Sequence, residues 1–168
     1  MKWGLIIAFL LQIVSARAQN TTSFRQKIAV AVSVLKCEDP DEQHPVTLNA
    51  ELINAVGSDS VAIIIKARIA PGWHIYAYVP STMPYIVSEY IVKPDANVKL
   101  AGDWEKSKPT PTMMDKGVLI YEKEAVFIHK LIKKSGSATG SISAGLYYQT
   151  CNLRQCLPPI EKTFELKY

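Results

Sequence analysis

Two cysteines near the end of the chain are the residues best suited to chemistry. Cys151 and Cys156 enclose four residues, and Pro158 and Pro159 follow soon after. A hairpin loop of this length can bring two Cα atoms within the ~4.4–6.8 Å that a disulfide requires. The prolines fix φ and donate no backbone hydrogen bond, so they stiffen the stem behind Cys156. The pattern allows a local disulfide at this loop.

Such a local disulfide is either a structural crosslink or an exchangeable redox pair, and the spacing leaves both interpretations open. A crosslink across about six residues contributes only about 2 kcal/mol, whereas a bridge from Cys37 to Cys151 would contribute about 5 kcal/mol. Local pairs in tight loops are often exchangeable. Arg154, between the two cysteines, either stabilises a thiolate or points to solvent. The pair lacks the helix N-terminus that lowers thiol pKa values in C-x-x-C motifs, so we expect a more reactive partner to attack it.

A histidine in an aromatic segment is the best candidate for moving a proton. Strand alternation places Trp73 and Ile75 on one face, and His74 and Tyr76 on the other. His74 either donates a proton to a leaving thiolate or is an ordinary surface histidine. The other two histidines, His44 and His129, do not lie in such a segment.

The sulfur and imidazole groups also raise a metal-binding hypothesis. A soft site for Cu(I) could be built from Cys151, Cys156, His74, Met113 and Met114. None of the spacings typical of protein metal sites supports it, so we predict neither a metal nor a cofactor. Cys37 lies among acidic residues, which should raise its thiol pKa and make it a poor nucleophile, either free or bonded to another chain.

Charge and motif content exclude several broad classes of function. The chain of 168 residues has 19 basic and 15 acidic residues, and its net charge of +4 includes two basic residues of a predicted leader. So small an excess does not favour nucleic-acid binding. The sequence lacks a G-x-S-x-G motif, a recognisable pair of catalytic carboxylates and a phosphate-binding glycine loop. It therefore offers nothing for hydrolase or nucleotide chemistry.

The first 18 residues have the features of a secretory signal peptide. Lys2 precedes an apolar stretch over residues 5–14, and an Ala-x-Ala cleavage site at 16–18 places the mature start at Gln19. The apolar stretch is short for a membrane span, and nothing later in the chain is as long and apolar. We therefore predict an exported chain that does not span a membrane after cleavage, in a compartment where disulfides persist.

The remaining sequence predicts an all-β domain. Period-two alternation recurs over 46–52, 61–69, 73–79, 85–92, 98–100, 118–121, 125–132, 141–148 and 160–166. Many short strands separated by turns are typical of an antiparallel sandwich or barrel. Residues 102–117 are predicted to be a long loop. Residues 19–44 are a separate extension whose alternation over 28–34 predicts a strand, with a short apolar helix as the alternative.

Two motifs resemble the N-terminal periplasmic domain of the thiol:disulfide interchange protein DsbD. They are the hairpin Cys151-x4-Cys156-Leu157-Pro158-Pro159 and the aromatic strand over 71–76, and the likeness covers about residues 45–168. The resemblance implies an immunoglobulin-like antiparallel β-sandwich that accepts two electrons by disulfide exchange and passes them on. It also implies that Cys156 attacks, that Cys151 resolves, and that His74 and Tyr76 line the site.

That family shields its cysteine pair with a cap loop that carries an aromatic side chain at its tip. The matching stretch here, residues 111–115, has no aromatic residue, so Met113 or Met114 is expected to substitute for it. Asp115 is the only acidic residue nearby. Arg154 completes the set of expected site-lining residues.

These inferences predict an exported thiol–disulfide oxidoreductase that carries electrons in the bacterial periplasm. The donor would be a membrane-embedded thiol reductase, and the acceptors would be thioredoxin-like or other oxidised periplasmic proteins. The family's full-length protein continues into further domains, so a chain that ends at Tyr168 is expected to be a stand-alone carrier. The alternative is an exported immunoglobulin-like protein-binding module in which the same disulfide is purely structural.

Overall fold

The computed structural model describes residues 23–134, 136 and 139–168. The signal peptide predicted over residues 1–18 and its cleavage site lie outside the described residues. Within the described part of the chain, no helix is both long enough and apolar enough to cross a membrane.

One helix and eleven strands make up the described residues. The helix, α1, spans residues 23–34. The strands are β1 Val46–Asn54, β2 Ser60–Ile69, β3 His74–Tyr78, β4 Glu89–Pro94, β5 Val98–Lys106, β6 Thr110–Pro111, β7 Leu119–Tyr121, β8 Glu124–Lys133, β9 Ser141–Tyr148, β10 Thr150–Cys151 and β11 Ile160–Lys167. All pairings between these strands are antiparallel.

Two sheets face each other across the main core. One has the strand order β1-β2-β8-β5 and the other has the order β11-β9-β4. Alternation along each strand sends one set of apolar side chains between the sheets. The largest side chains that are fully buried there include Ile63, Phe127, Leu131, Leu146 and Tyr148. Four strands packed on three is the arrangement of a constant-type immunoglobulin sandwich, and the predicted fold class is confirmed.

A third, smaller sheet holds the cysteine loop. Its strand order is β10-β3-β7-β6. Ile75 and Tyr121 are register partners, and both belong to the main core, so one face of this sheet is anchored to the sandwich. The next residues along the two strands, Tyr76 and Ile120, belong to a separate buried cluster that includes Cys151. The small sheet therefore places the cysteine pair on a well-packed support.

Helix α1 shows that the strand predicted over 28–34 is wrong and that the helical alternative is right. Ile28 and Ala31 pack on Ala62 and Ile64, on the outer face of the four-stranded sheet. Their spacing of three residues is close to one helical turn. The period-two alternation over 28–34 was misleading, because alanine or serine occupies every second position. Such small side chains are compatible with the period of a strand and with that of a helix. β2 is apolar on both faces, and α1 covers the face that the sandwich leaves open.

The long loop predicted over 102–117 is also wrong in part. β5 continues to Lys106 past a register shift between Ala101 and Glu105, and β6 adds two more paired residues. Trp104 lies within the shifted segment and packs against the main core. A register shift changes which side chains face inward, so the period-two pattern breaks although the strand continues.

His129 is a buried histidine on the core-facing side of β8. It is only 4% exposed, and its ring stacks on Trp104 with 4.7 Å between centroids. Within the described residues, neither of its ring nitrogens has a hydrogen bond of good geometry. Burial lowers the pKa of His129 below its ordinary value, and Asp103 opposes this shift only in part, through the charge of its carboxylate and through its backbone carbonyl.

The free energy of unfolding is therefore expected to fall as the pH drops below about 6.5, the ordinary histidine value. In that range the unfolded chain binds a proton at His129 and the folded chain resists it, so stability is lost at up to about 1.4 kcal/mol per pH unit. Denaturant unfolding at several pH values measures the slope. His129→Leu should flatten it, and His74, whose pKa is shifted in the same direction, accounts for the remainder. An unchanged slope in the variant would contradict this assignment.

Candidate redox site

The cysteine loop is a tight turn that closes on its own disulfide. Cys151 and Cys156 are bonded, with their Cα atoms 4.0 Å apart. The Asn152 backbone N–H donates to the Gln155 carbonyl at 2.9 Å. The Asn152 side-chain oxygen accepts hydrogen bonds from the N–H groups of Arg154 and Gln155, at 2.8 and 2.9 Å. Asparagine side chains favour this kind of local turn, so the sequence of the loop itself brings the two cysteines together.

The two sulfur-bearing residues differ sharply in exposure. Cys151 is 1% exposed, whereas Cys156 is exposed to solvent. Cys151 is on β10, inside the small sheet, while Cys156 faces it through an isolated bridge on the outer side. Thiol–disulfide exchange requires an attacking thiolate to reach one sulfur directly. In this arrangement Cys156 is the accessible partner of the disulfide.

Cys151 lies in a buried apolar cluster. The other buried members are Tyr76, Val118 and Ile120, and Val79, Met83 and Tyr85 are partly buried against them. The Tyr85 ring stacks on Tyr76 with 4.8 Å between centroids. The Ser88 N–H donates to the Tyr76 carbonyl at 2.8 Å, which holds this segment along β3. The segment between β3 and β4 therefore supplies the side chains that cover the small sheet beside Cys151.

His74 lies next to Cys151. The two are register partners on adjacent strands, and such pairs have Cβ atoms about 4.5–5.5 Å apart. The His74 ring meets the Tyr76 ring edge-on at 5.1 Å. Burial lowers the pKa of His74, while the carboxylates of Glu122 and Asp115 partly oppose that shift. His74 is thus a half-buried imidazole on the strand position directly across from Cys151.

The face assignment made for this strand from alternation matches the structure. Trp73 and Ile75 belong to the main core, and His74 and Tyr76 lie on the opposite face. That second face is not open surface, because Tyr76 is only 3% exposed. Burial, together with Tyr85 and Asp115, raises the pKa of Tyr76 to about 12. Tyr76 therefore stays protonated near neutral pH, and its uncharged side chain packs in the apolar cluster with Cys151.

Gln149 links the covering segment to the cysteine loop. Its side-chain oxygen accepts a hydrogen bond from the Ile86 N–H at 3.1 Å, and its amide nitrogen donates to the Leu157 carbonyl at 3.5 Å. The Leu157 N–H in turn donates to the Thr150 carbonyl at 2.9 Å. The sequence analysis did not single out Gln149. Its position directly before the cysteine loop is the only signal that the sequence contains.

The remaining predicted site residues lie in solvent. Met113 is fully exposed, Met114 is largely exposed, and the side chain of Arg154 is exposed at the tip of the cysteine loop. Neither methionine is packed over Cys151. Tyr85 and Met83 pack against its cluster instead. Tyr85 was missed because it falls in the strand predicted over 85–92, and Met83 falls in the turn before that strand.

Cys37 is a free, half-buried cysteine far from this loop in the sequence. Its thiol donates to the Lys66 carbonyl at 3.2 Å. Its pKa is raised mainly by burial and to a lesser degree by Glu124, while the cations of Lys66 and Arg68 oppose the shift. The neighbouring acid Asp39 forms an ion pair with Arg68. Burial, rather than the adjacent acidic residues, is therefore the main reason that this thiol is a poor nucleophile.

Comparisons with known proteins place residues 42–168 under one family model, described as "Thiol:disulfide interchange protein DsbD, N-terminal". A crystal structure of the N-terminal periplasmic domain of ScsB from Proteus mirabilis is similar, with 21% identity and a TM-score of 0.49 over 78% of this chain. The DsbD N-terminal domain of Neisseria meningitidis in the reduced form is similar over 82% of this chain, with 25% identity and a TM-score of 0.46.

The chain spans 49% of the ScsB chain and 96% of the Neisseria DsbD chain. No curated protein sequence matches it.

Proposed function

This chain belongs to the family of DsbD N-terminal domains, and from that membership we propose that it is a thiol–disulfide exchange domain whose redox centre is the Cys151–Cys156 pair. The observation that carries the proposal is the asymmetry of the disulfide, with Cys151 buried and Cys156 exposed. A crosslink that served stability alone would gain nothing from an exposed sulfur beside a buried one. An exchange site needs one sulfur that the thiolate of a partner can attack and a second sulfur that reacts only with the first.

Reduction begins at the exposed sulfur. A thiolate of the electron donor attacks Cys156, the Cys151–Cys156 bond breaks, and its electron pair goes to Cys151, which takes up a proton. The donor and Cys156 are then joined by a mixed disulfide. The second thiol of the donor attacks the donor's own sulfur and releases Cys156 as a thiolate. Cys156 takes up the proton that the donor's second thiol has lost. The donor leaves oxidised, and this domain holds two electrons and two protons as a dithiol.

Oxidation runs the same steps in reverse. The Cys156 thiolate attacks the disulfide of an acceptor protein and forms a mixed disulfide with it. Cys151 loses its proton and attacks Cys156, which restores the Cys151–Cys156 bond and releases the acceptor as a dithiol. In this scheme Cys156 is the attacking residue and Cys151 the resolving one.

His74 is the group that exchanges the proton with Cys151. It is the cross-strand neighbour of Cys151, and the proton moves within the half-buried face of the small sheet. A histidine can give a proton to a thiolate and take one from a thiol, and burial lowers the pKa of this one below its ordinary value. Tyr76 and Tyr85 keep water from the buried sulfur while this happens.

The partners proposed for this domain follow from its family. A membrane-embedded thiol reductase is proposed as the donor, and thioredoxin-like or other oxidised periplasmic proteins as the acceptors. Export to the bacterial periplasm is part of the same proposal. Met113, Met114 and Leu153 are exposed apolar side chains that suit partner contact, since methionine adapts to varied surfaces.

Measuring the reduction potential of the pair tests the proposed function. The expected value lies between roughly −180 and −270 mV, with reduction complete in the folded protein. The protein is equilibrated in graded thiol buffers and its alkylated cysteines are counted by mass spectrometry, with Cys37→Ser as the background that removes the free thiol. A potential below about −300 mV, or reduction only after unfolding, would favour the protein-binding module with a structural disulfide instead.

A further inference from the structure

Glu122 lies beside His74, on the side of β3 that is opposite Cys151. β7 ends at Tyr121, which is the register partner of Ile75. Antiparallel pairing brings the residue after Tyr121 next to the residue before Ile75, so Glu122 meets His74. Glu122 and Trp73 also line the same surface cleft, so the glutamate lies near the end of β3 at which His74 begins the strand.

Cys151, His74 and Glu122 therefore form a row across three adjacent strands. The first two are register partners on β10 and β3, and the third continues the row past the end of β7. Side chains at cross-strand positions share one face of a sheet. A thiol, an imidazole and a carboxylate in that order can pass a proton between the first two while the third holds the charge of the second.

The electrostatics of His74 agree with this geometry. Burial disfavours the charged imidazole, and two carboxylates favour it, with Glu122 acting more strongly than Asp115. The other ionisable groups on this face are the hydroxyls of Tyr76 and Tyr85, and both have raised pKa values and stay neutral. Burial keeps the pKa of His74 below its ordinary value, and Glu122 is the main charge that opposes this loss of the proton.

We propose that Glu122 is a positioning residue that holds a proton on His74 for transfer to the sulfur of Cys151, an inference that rests on the proposed exchange function. When a thiolate attacks Cys156, the disulfide breaks and the electron pair goes to Cys151. The His74 imidazolium gives its proton to that sulfur and is left neutral. When Cys151 later attacks Cys156 in a mixed disulfide, neutral His74 takes the proton back.

The first arm of the test measures the electrostatic interaction between Glu122 and His74. NMR titration of the His74 ring should give a lower pKa in Glu122→Gln than in the wild type, because the neutral amide no longer favours the imidazolium. Asp115→Asn should lower it less. Glu51→Gln, a carboxylate on β1 in the four-stranded sheet, is the matched control and should leave the titration unchanged. Equal titrations in Glu122→Gln and the wild type would overturn the proposal.

The second arm measures the proton transfer. The rate constant for reduction by dithiothreitol is expressed per thiolate and followed against pH in the Cys37→Ser background. It should fall as His74 loses its proton, and Glu122→Gln should move that fall to lower pH and slow the reaction about threefold at pH 7. His74→Gln should remove the pH-dependent fall. A wild-type profile in Glu122→Gln would overturn the role of Glu122 and leave the proposed function intact.

Failure of the proposed function gives a different result. If dithiothreitol reduces the wild-type pair only after unfolding, the exchange function is wrong and the proton-transfer role of Glu122 is wrong with it, whatever the His74 titration shows.

Discussion

Replacing Cys156 with serine is expected to abolish disulfide exchange, with a loss of more than about 10³-fold in the rate of electron transfer. Cys156 is the exposed member of the pair, and the sulfur of Cys151 lies in a cluster with Tyr76 and Ile120. The variant should also fail to form a mixed disulfide, because its remaining site thiol is buried. Stopped-flow measurement of exchange with a reduced dithiol protein, such as thioredoxin, checks the rate.

Replacing Cys151 with serine is expected to stop turnover in a different way. Cys156 remains able to attack an acceptor disulfide, but no second thiol resolves the product, so the mixed disulfide accumulates. Non-reducing electrophoresis and mass spectrometry should detect it in Cys151→Ser and not in Cys156→Ser. Both variants are made in the Cys37→Ser background. If Cys156→Ser still exchanges at the rate of its background, the roles assigned to the two cysteines are wrong.

Neither cysteine variant should unfold the domain. The bond closes a loop of only about six residues, so losing it costs about 2 kcal/mol. Circular dichroism at 25 °C should therefore match that of the background protein. A global loss of structure in both variants would instead indicate that the disulfide is mainly a structural crosslink.

Truncating Phe127 to alanine is expected to destabilise the protein by about 3–5 kcal/mol, the largest stability effect that we predict. The side chain is fully buried on β8 between the two facing sheets. Its ring lies 4.9 Å from that of Tyr90 and 5.1 Å from that of Tyr121. The substitution leaves a cavity where three rings meet, one of them on the strand that supports the redox site.

Guanidinium unfolding monitored by circular dichroism measures this effect as a shift of the midpoint. Phe127→Leu is the matched control and should cost less than about 1.5 kcal/mol, because it keeps most of the apolar volume. The variants that remain folded should keep the reduction potential of the wild type. A loss of less than about 1 kcal/mol in Phe127→Ala would contradict the placement of this ring at the centre of the core.

Local sequence patterns were sufficient for most of the strands and for the cysteine loop. Strand alternation reports which side chains face inward, and it correctly separated Trp73 and Ile75 from His74 and Tyr76. The loop between the cysteines is closed by its own asparagine, so its geometry also depends on neighbouring residues only. Local patterns failed where the conformation of a segment depends on packing against a segment that is distant in the sequence. The helix over 23–34 is the example, because its apolar side chains are buried against the outer face of β2.

The sequence by itself therefore determined the all-β class, the cysteine pair and the face of the strand that carries His74. Only the tertiary structure decided that Cys151 is buried while Cys156 is exposed, since the cover comes from Tyr85, more than 60 residues earlier in the chain. It also decided that Glu122 lies beside His74. Both outcomes depend on contacts between segments that are far apart in sequence. The cover depends on how the segment between β3 and β4 packs, and the place of Glu122 depends on strand register, which is set by the whole sheet rather than by any local pattern.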